Sequence, residues 1–173
     1  MGFLKNIFSN TAKEAAPTVS IQTDANTVYA PFQGTVIPLE EIGDGVFSSG
    51  VLGQGIGMKP DEETVYAPFD GKIVQIAETK HAIGILSNDN VELLIHVGMD
   101  TVAMNGKGFD ILVSEGDTVR CGQKLMTFSK KAIADAGYPD TTAIVVTNSA
   151  DFSCIKPQTG GSVEKLTPVL LAE

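Results

Sequence analysis

The chain has 173 residues, enough for one domain and a short appendage. Its 43% hydrophobic and 19% charged residues are an ordinary globular mixture, which excludes a chain that is disordered throughout. Because 21 acidic residues outnumber 12 lysines and arginines, the net charge of -9 argues against nucleic-acid binding and favours basic protein partners.

The first ten residues form an amphipathic tail, MGFLKNIFSN, with an apolar stripe at helical spacing. The stripe consists of Phe3, Leu4, Ile7 and Phe8. A segment this short is not a stable helix in water, but it can fold on a lipid surface. Two alternatives therefore stay open, a weak membrane-binding helix and a tail that packs on nothing. Residues 11–26 are polar and are predicted to be a linker.

The absence of signal-peptide features and the cysteine pattern both predict a cytoplasmic protein, peripheral at the inner face of the membrane if the tail binds lipid. Cys121 and Cys154 form no metal or redox motif, so both are expected to be reduced thiols. No apolar run approaches the roughly 20 residues that a membrane-spanning helix needs.

Residues 27–173 are predicted to be a single all-β domain, a sandwich or barrel, because short apolar runs alternate with Gly, Pro, Asn and Asp. A short helix is predicted over Lys130–Ala136, ended by Gly137 and Pro139. The glycines of Gly53–Gly57 are interpreted as turn and close-packing residues, since no helix pattern follows them. The predicted strands are Gly34–Leu39, Gly71–Ile76, Ala82–Leu86, Val91–Val97, Lys124–Phe128 and Thr142–Thr147.

An internal repeat indicates a duplicated fold. The heptapeptide VYAPFQG of residues 28–34 recurs as VYAPFDG in residues 65–71, with only the sixth position changed. Two copies predict a pseudo-symmetric pair of β-hairpin units. Pro31 and Pro68 cannot donate a ladder hydrogen bond, so each is expected at a strand start or edge.

The two histidines of the chain flank a predicted β-hairpin. His81 and His96 enclose AIGILSNDNVELLI, which carries a turn signal at Asn88 and Asp89. A two-residue loop makes Ser87 face Asn90 and makes the histidines direct cross-strand neighbours, with Cβ atoms roughly 4.5–5.5 Å apart. In this register the imidazoles share a shallow surface with Thr79, Ile83 and Leu94, while Val91, Leu93, Ile95 and Val97 face the core.

Three interpretations of this histidine pair compete. The pair is a chance neighbourhood in a sheet, part of a zinc site completed by carboxylates, or a phosphoryl carrier. In the third interpretation one neutral imidazole attacks phosphorus and the other donates a hydrogen bond to the phosphoryl oxygens, with Thr79 fixing its tautomer. An apolar rim would slow hydrolysis of the N–P bond.

Several motifs resemble enzyme IIA of the glucose class in the bacterial phosphoenolpyruvate-dependent sugar phosphotransferase system. The resemblance runs from about Thr27 to Glu173. Its motifs are Val65–Gly71, Glu78–Ala82, Glu92–Val102, Gly106–Phe109, Glu115–Asp117 and Leu166–Val169. It implies a flattened antiparallel β-sandwich of two similar halves, of the duplicated hybrid motif type. The amphipathic tail matches free-standing members of the family.

The resemblance also implies roles for individual residues. His96 matches the phosphorylated histidine, His81 the second active-site histidine, and Thr79 the threonine that hydrogen-bonds to it. Asp44 and Asp100 match acidic positions that meet a basic residue of the phosphoryl donor, HPr. The apolar rim corresponds to Val46, Phe47, Val51 and Leu52. Ala77 and Leu94 stand where other members have aromatic residues.

The implied reaction passes the phosphoryl group from HPr to a cysteine of the IIB domain of a sugar permease. Neither cysteine of this chain lies in a IIB-type motif, so IIB should be a separate domain or chain. No cofactor is required, although His81 and His96 are also candidate ligands for zinc at a partner interface. The resemblance further implies regulatory partners, transporters or metabolic enzymes, that respond to phosphorylation.

Two other functions share features with this sequence. A lysostaphin-type zinc metallopeptidase shares a related β-core, but it would need a His-x-His pair that this sequence lacks. A biotinyl or lipoyl carrier is suggested by Glu115–Leu125, but its lysine should sit at a hairpin tip, whereas Lys124 leads a predicted strand.

Overall fold

The computed structural model describes residues 21–173, which form antiparallel strands, one short α-helix and three 3-10 helices. The predictions for the tail of residues 1–10 and for linker residues 11–20 lie outside the described residues. The 3-10 helices are Leu39–Ile42, Thr101–Met104 and Ser149–Asp151, and α1 is Lys130–Asp135. The strands are β1 (Thr27–Tyr29), β2 (Gly34–Pro38), β3 (Gln54–Pro60), β4 (Thr64–Tyr66), β5 (Gly71–Ile76), β6 (Ala82–Ser87), β7 (Glu92–His96), β8 (Phe109–Ile111), β9 (Thr118–Val119), β10 (Lys124–Phe128), β11 (Thr142–Val146), β12 (Ile155–Pro157), β13 (Gly161–Val163) and β14 (Pro168–Ala172).

The strands form three sheets, which confirms the predicted all-β antiparallel fold. The large sheet has eight strands in the order β13-β2-β3-β11-β7-β6-β5-β9. Two three-stranded sheets, β1-β14-β12 and β4-β10-β8, complete the fold. Inward side chains of these sheets share one core, which includes Phe32, Ile73, Leu125 and Ile144.

The two copies of the heptapeptide occupy equivalent places and bind each other. The N–H of Tyr29 donates to the carbonyl of Pro68 at 3.0 Å, and the N–H of Tyr66 donates to the carbonyl of Pro31 at 2.8 Å. Both prolines lie in the bend between two strands. The sheet needs no N–H donor at these positions, so proline costs no ladder hydrogen bond there. This reciprocal pairing relates the halves by a pseudo-twofold axis, as the repeat predicted.

A second, diverged repeat becomes visible only through strand pairing. β1 and β4 pair with β14 and β10, while β2 and β5 pair with β13 and β9. The stretches GDTVRCGQKLM of residues 116–126 and GGSVEKLTPVL of residues 160–170 are therefore structural equivalents. In the large sheet, equivalent strands lie at equal distances on the two sides of the β11–β7 pair, β2 and β13 on one side and β5 and β9 on the other. The pseudo-twofold axis therefore passes through the β11–β7 pair.

The predicted strands and helix form with small shifts at their ends. Ser129 caps α1, because its hydroxyl oxygen accepts the N–H of Ala132 at 3.0 Å. The turn predicted for Gly53–Gly57 is found at Gly53, whose N–H donates to the carbonyl of Gly50 at 3.1 Å, whereas Gly55 and Gly57 lie inside β3 and serve close packing. A Cβ on Gly55 would come within 2.0 Å of the Ile144 carbonyl oxygen, so only glycine fits against β11.

The predicted hairpin forms, but its register was wrong by one residue. Ile83 faces Ile95 and Ala82 faces His96, so the connection is the three-residue loop 88–90. Asn90 takes a left-handed φ of 65°, and the Ser87 hydroxyl oxygen accepts the N–H of Val91 at 3.0 Å. The slip turns Ile83 into the main core, where it is fully buried, instead of onto the histidine surface.

The opposite face of the large sheet carries a second, smaller apolar cluster. It is built around β11 and β7 and contains Leu39, Phe47, Met99, Ala143 and Val145, with Ile42 and Leu94 packed against it. The predicted core face of β7 is confirmed, because Val91, Leu93, Ile95 and Val97 are all buried in the main core. His96 therefore ends a central strand with its ring on the side of the smaller cluster.

Within residues 21–173, every buried side-chain nitrogen and oxygen atom has a hydrogen-bond partner. Cys121 and Cys154 are both free, as predicted. No helix in this part of the chain is long and apolar enough to cross a membrane.

Candidate functional site

The two histidine rings meet at the base of the β6–β7 hairpin. Their centroids lie 4.6 Å apart in an edge-to-face arrangement with an interplanar angle of 81°. The direct cross-strand pairing predicted for them is wrong, since the N–H of Val97 bonds to the carbonyl of His81. His81 precedes β6 in a bend that follows Lys80, whose φ is 61°, so its ring does not follow the strand alternation and still reaches His96.

His96 presents one ring nitrogen for chemistry. Its Nδ1 lies 2.8 Å from the carbonyl oxygen of Gly98. A carbonyl can only accept, so the neutral ring carries its proton on Nδ1 and keeps a lone pair on Nε2. Gly98 suits this position because its φ is 74° and a Cβ would come within 2.4 Å of the Thr101 Cγ2.

His81 is oriented by Thr79. The Thr79 hydroxyl oxygen lies 2.8 Å from Nδ1 of His81, as the resemblance implied. A hydroxyl that donates here leaves the ring proton on Nε2. Burial lowers the pKa of His81 to about 4, and the adjacent His96 ring lowers it in the same direction.

Burial also lowers the pKa of His96, while the hydrogen bond to Gly98 and the charges of Asp44 and Asp100 oppose that shift. Both rings are therefore neutral at pH 7. This is the protonation state that a nucleophilic imidazole needs, together with nearby groups that favour positive charge once it reacts.

We expect acid to destabilise the fold through His81. A pKa of about 4 in the folded state against about 6.5 unfolded means that the unfolded chain binds the proton first as pH falls. His81 then costs the folded state nothing above about pH 6.5, and the free energy of unfolding falls between about pH 6.5 and 4, by about 2.5 kcal/mol at pH 4.5. Urea unfolding of wild type and His81→Gln should show their difference shrinking by that amount from pH 7.5 to 4.5. A constant difference would contradict the neutral, buried ring.

The loop between the 3-10 helix 39–42 and β3 covers His96 from the other half of the fold. Phe47 is 6% exposed, and its ring centroid lies 4.9 Å from that of His96 at an interplanar angle of 57°. The predicted rim residues Val46, Val51 and Leu52 belong to the same loop and are 48%, 75% and 41% exposed. The loop therefore supplies both a buried cover and an exposed apolar surface.

The two predicted acidic residues lie in different settings. Asp44 accepts three backbone N–H groups of its own loop, from Val46, Phe47 and Ser48. Partial desolvation alone would raise the pKa of Asp44, but these hydrogen bonds outweigh it and the pKa is lowered. Asp100 is exposed in a left-handed conformation with a φ of 60°. The resemblance gave no sign of the Asp44 bonds, although an acidic residue amid glycine and serine is a known loop signal.

Residues 21–173 contain no group of three or more His, Cys, Asp and Glu side chains placed to hold a metal ion. Zinc on His81 and His96 thus stays a prediction that requires further ligands from a partner. A cleft of about 410 Å³ lies behind the covering loop and contains neither histidine. It is lined in part by Ile56, Ile155 and Ser49.

A sequence model of one protein family matches most of the chain. The family is described as "phosphoenolpyruvate-dependent sugar phosphotransferase system, EIIA 1", and the match covers residues 26–152. In structure, the chain is similar to the glucose permease IIA from Mycoplasma capricolum, with a TM-score of 0.75 and 35% identity. That likeness covers 83% of this chain and 93% of the other.

Curated relatives are of two sizes. The glucose-specific EIIA component of Bacillus cereus is 42% identical over 144 residues, covering 83% of this chain and 87% of that protein. The beta-glucoside-specific EIIBCA component of Dickeya chrysanthemi is 42% identical over 161 residues, which is 89% of this chain. The chain spans only 26% of the Dickeya protein and 18% of the glucose-specific EIICBA component of Staphylococcus carnosus. No comparison supports the metallopeptidase alternative.

Proposed function

The chain belongs to the glucose-class EIIA family of the phosphoenolpyruvate-dependent sugar phosphotransferase system, whose members are phosphoryl carriers, and we propose that it carries the phosphoryl group on Nε2 of His96. Phospho-HPr is the proposed donor. A cysteine of a IIB domain is the proposed acceptor. The observation that supports this assignment is the hydrogen bond from Nδ1 of His96 to the Gly98 carbonyl, which leaves Nε2 free to react.

Acceptance requires the Nε2 lone pair to attack phosphorus while the bond between phosphorus and HPr breaks. The ring then carries a positive charge, because Nδ1 keeps its proton and Nε2 has formed a new bond. The Gly98 carbonyl and the carboxylates of Asp44 and Asp100 favour that charge, as their opposition to the lowered pKa of His96 indicates. They stabilise the phosphorylated ring more than the free one.

His81 is proposed to bind the phosphoryl oxygens. With the Thr79 hydroxyl donating to Nδ1, the Nε2 proton of His81 is available as a donor beside His96. Its lowered pKa keeps this ring neutral, so it adds a directed hydrogen bond instead of a competing positive charge. The apolar cluster around Phe47 limits access of water to the N–P bond.

The direct test is incubation with phosphoenolpyruvate, enzyme I and HPr, followed by intact-mass measurement. We expect a gain of one phosphoryl group that acid removes and base does not, which is the behaviour of phosphohistidine. Omitting HPr is the control and should prevent the gain. A phosphoryl group stable to acid would contradict a histidine carrier.

The acidic residues around His96 should speed association with HPr. Long-range attraction acts on the encounter rate, so phosphorylation of wild type should slow as salt rises. Asp100→Asn, which keeps the left-handed backbone accessible, should lower the rate about threefold at low salt. Asp89→Asn removes the same charge at the opposite end of the β6–β7 hairpin and is the matched control. A wild-type rate that does not depend on salt would contradict electrostatic attraction. Apolar contact by Val46, Val51 and Leu52 would then be the main contribution to association with HPr.

We also propose that the chain works in the cytoplasm with weak contact at the inner face of the membrane. The support is the apolar stripe of residues 1–10 in the sequence. Lys5 is the only basic residue there and the chain is acidic overall, so binding should be reversible. Full-length protein should co-sediment with anionic vesicles more than a chain lacking residues 1–10. Both proteins should accept the phosphoryl group from HPr at the same rate. Equal sedimentation of the two proteins would show that residues 1–10 have no affinity for lipid.

A further inference from the structure

The loop that covers His96 is organised around one carboxylate. Oδ1 of Asp44 accepts the N–H groups of Val46 at 3.2 Å and Ser48 at 3.0 Å, and Oδ2 accepts the N–H of Phe47 at 3.1 Å. Three consecutive backbone donors converge on one side chain, which orders a segment that is itself neither strand nor helix. Further loop bonds, from Gly45 N–H to the Ser48 hydroxyl and from Gly50 N–H to the Phe47 carbonyl, keep it compact.

The outcome of this ordering is the placement of Phe47. Val46 and Ser49 of the same loop are exposed to solvent. The Phe47 side chain, in contrast, is 6% exposed and packs with Met99, Ala143 and Val145. Its ring lies 4.9 Å from the His96 ring, on the surface that His81 also contacts. A loop freed from Asp44 would gain conformational entropy and release this contact.

We propose that Asp44 is a positioning residue whose carboxylate, through the N–H groups of residues 46–48, holds Phe47 against the His96 ring. Phe47 keeps the ring desolvated and in one orientation, and it shields a phosphoryl group on Nε2 from water. Hydrolysis, in which water adds to phosphorus as the N–P bond breaks and inorganic phosphate leaves, is slowed by this cover. The role is separate from any attraction of Asp44 for a partner.

Two substitutions separate the two roles of Asp44. Asp44→Asn removes the charge and keeps a carbonyl oxygen that can accept the bonds now made by Oδ1, whereas Asp44→Ala removes all three bonds. Loss of negative charge by itself lowers the pKa of His96, since Asp44 is one of the groups that raise it. Exposure of the ring raises that pKa, so the two effects have opposite signs in Asp44→Ala.

The proposal is tested on full-length protein with two readouts that need no partner. The first is the His96 pKa from NMR titration, which is simple because the chain has only two histidines. Asp44→Ala should titrate at least about half a unit above Asp44→Asn. The second is the lifetime of phosphohistidine formed with phosphoramidate, a small donor that cannot dock. Asp44→Ala should shorten it at least about threefold, and Asp44→Asn should restore most of it.

A double-mutant cycle then shows whether Asp44 acts through Phe47. Phe47→Ala should reproduce the Asp44→Ala lifetime, and the double variant should be no worse than either single one. Asp100→Asn gives the effect of an equal charge loss outside the loop. Equal lifetimes and pKa values in Asp44→Ala and Asp44→Asn, or additive effects in the cycle, would overturn the positioning role. The lifetime rests on the proposed function, but the NMR comparison does not, so failure of wild type to accept a phosphoryl group leaves the positioning role testable.

Discussion

Phosphorylation by HPr is expected to fall at least about a thousandfold when His96 is replaced by glutamine, because the substitution removes the nucleophile itself. Glutamine retains a polar side chain of similar length, so the fold and the surface that HPr contacts should persist. No other side chain substitutes, since His81 is held by Thr79 in a buried position with 6% exposure. The measurement is the rate of HPr-dependent gain of one phosphoryl group by intact mass.

A control keeps this result interpretable. Circular dichroism and the urea midpoint of His96→Gln should match those of wild type closely, which shows that lost acceptance is not lost folding. Labelling of His96→Gln at the wild-type rate would remove His96 from the mechanism. Labelling at a reduced rate on His81, located by fragment mass, would instead mean that the pair shares the nucleophilic role.

The second large effect is expected when the phosphoryl group leaves. His81→Gln should accept it from HPr within a few-fold of the wild-type rate and pass it to the IIB cysteine about a hundredfold more slowly. The physical reason is that the Nε2 donor of His81 helps most where charge shifts onto the phosphoryl oxygens during transfer. The centroids of the two histidine rings are already 4.6 Å apart. The Nε2–H of His81 therefore needs no large rearrangement to reach a phosphoryl group on His96.

Single-turnover transfer from purified phosphorylated protein to a IIB domain measures this step apart from acceptance. Thr79→Val should reproduce part of the defect, because the hydroxyl that bonds to Nδ1 of His81 at 2.8 Å is lost, and Thr79→Ser should restore it. Normal transfer by His81→Gln would show that His81 has no part in the transfer step and is only a structural residue.

The contrast between the two histidines supports the proposal that His96 is the carrier. Nδ1 of His96 donates to a carbonyl, an acceptor that cannot reverse its role, so the tautomer of this ring is determined by the backbone. Nδ1 of His81 faces a hydroxyl, which can donate as well as accept. Carbonyl and hydroxyl partners thus suit a nucleophile and a hydrogen-bond donor respectively.

The sequence by itself determined much of this protein. The VYAPFQG/VYAPFDG repeat predicted the two halves, because identical short segments fold into equivalent units. Alternation in Val91–Val97 predicted which face of β7 is buried, since strand side chains point to opposite sides in turn. The motifs around His81 and His96 identified the family and predicted which two side chains carry the chemistry.

Only the tertiary structure decided how those side chains meet. Turn signals could not distinguish a two-residue loop at Asn88 and Asp89 from the three-residue loop that exists, because Asn90 adopts the left-handed conformation at low cost. The resulting one-residue slip would have separated the rings if His81 had followed strand periodicity. It does not, since His81 lies in the bend before β6.

The resemblance placed Phe47 in the apolar rim, but the sequence did not predict that its ring is buried against His96. Phe47 comes from a loop 49 positions before His96, and the halves of the fold bring the two together only at the pseudo-twofold axis. Its placement depends on three backbone donors that converge on Asp44, which is a matter of loop geometry that no periodic pattern records. Local sequence patterns specify the secondary-structure elements and which of their faces are buried. Contacts between distant segments depend instead on how all the elements pack together.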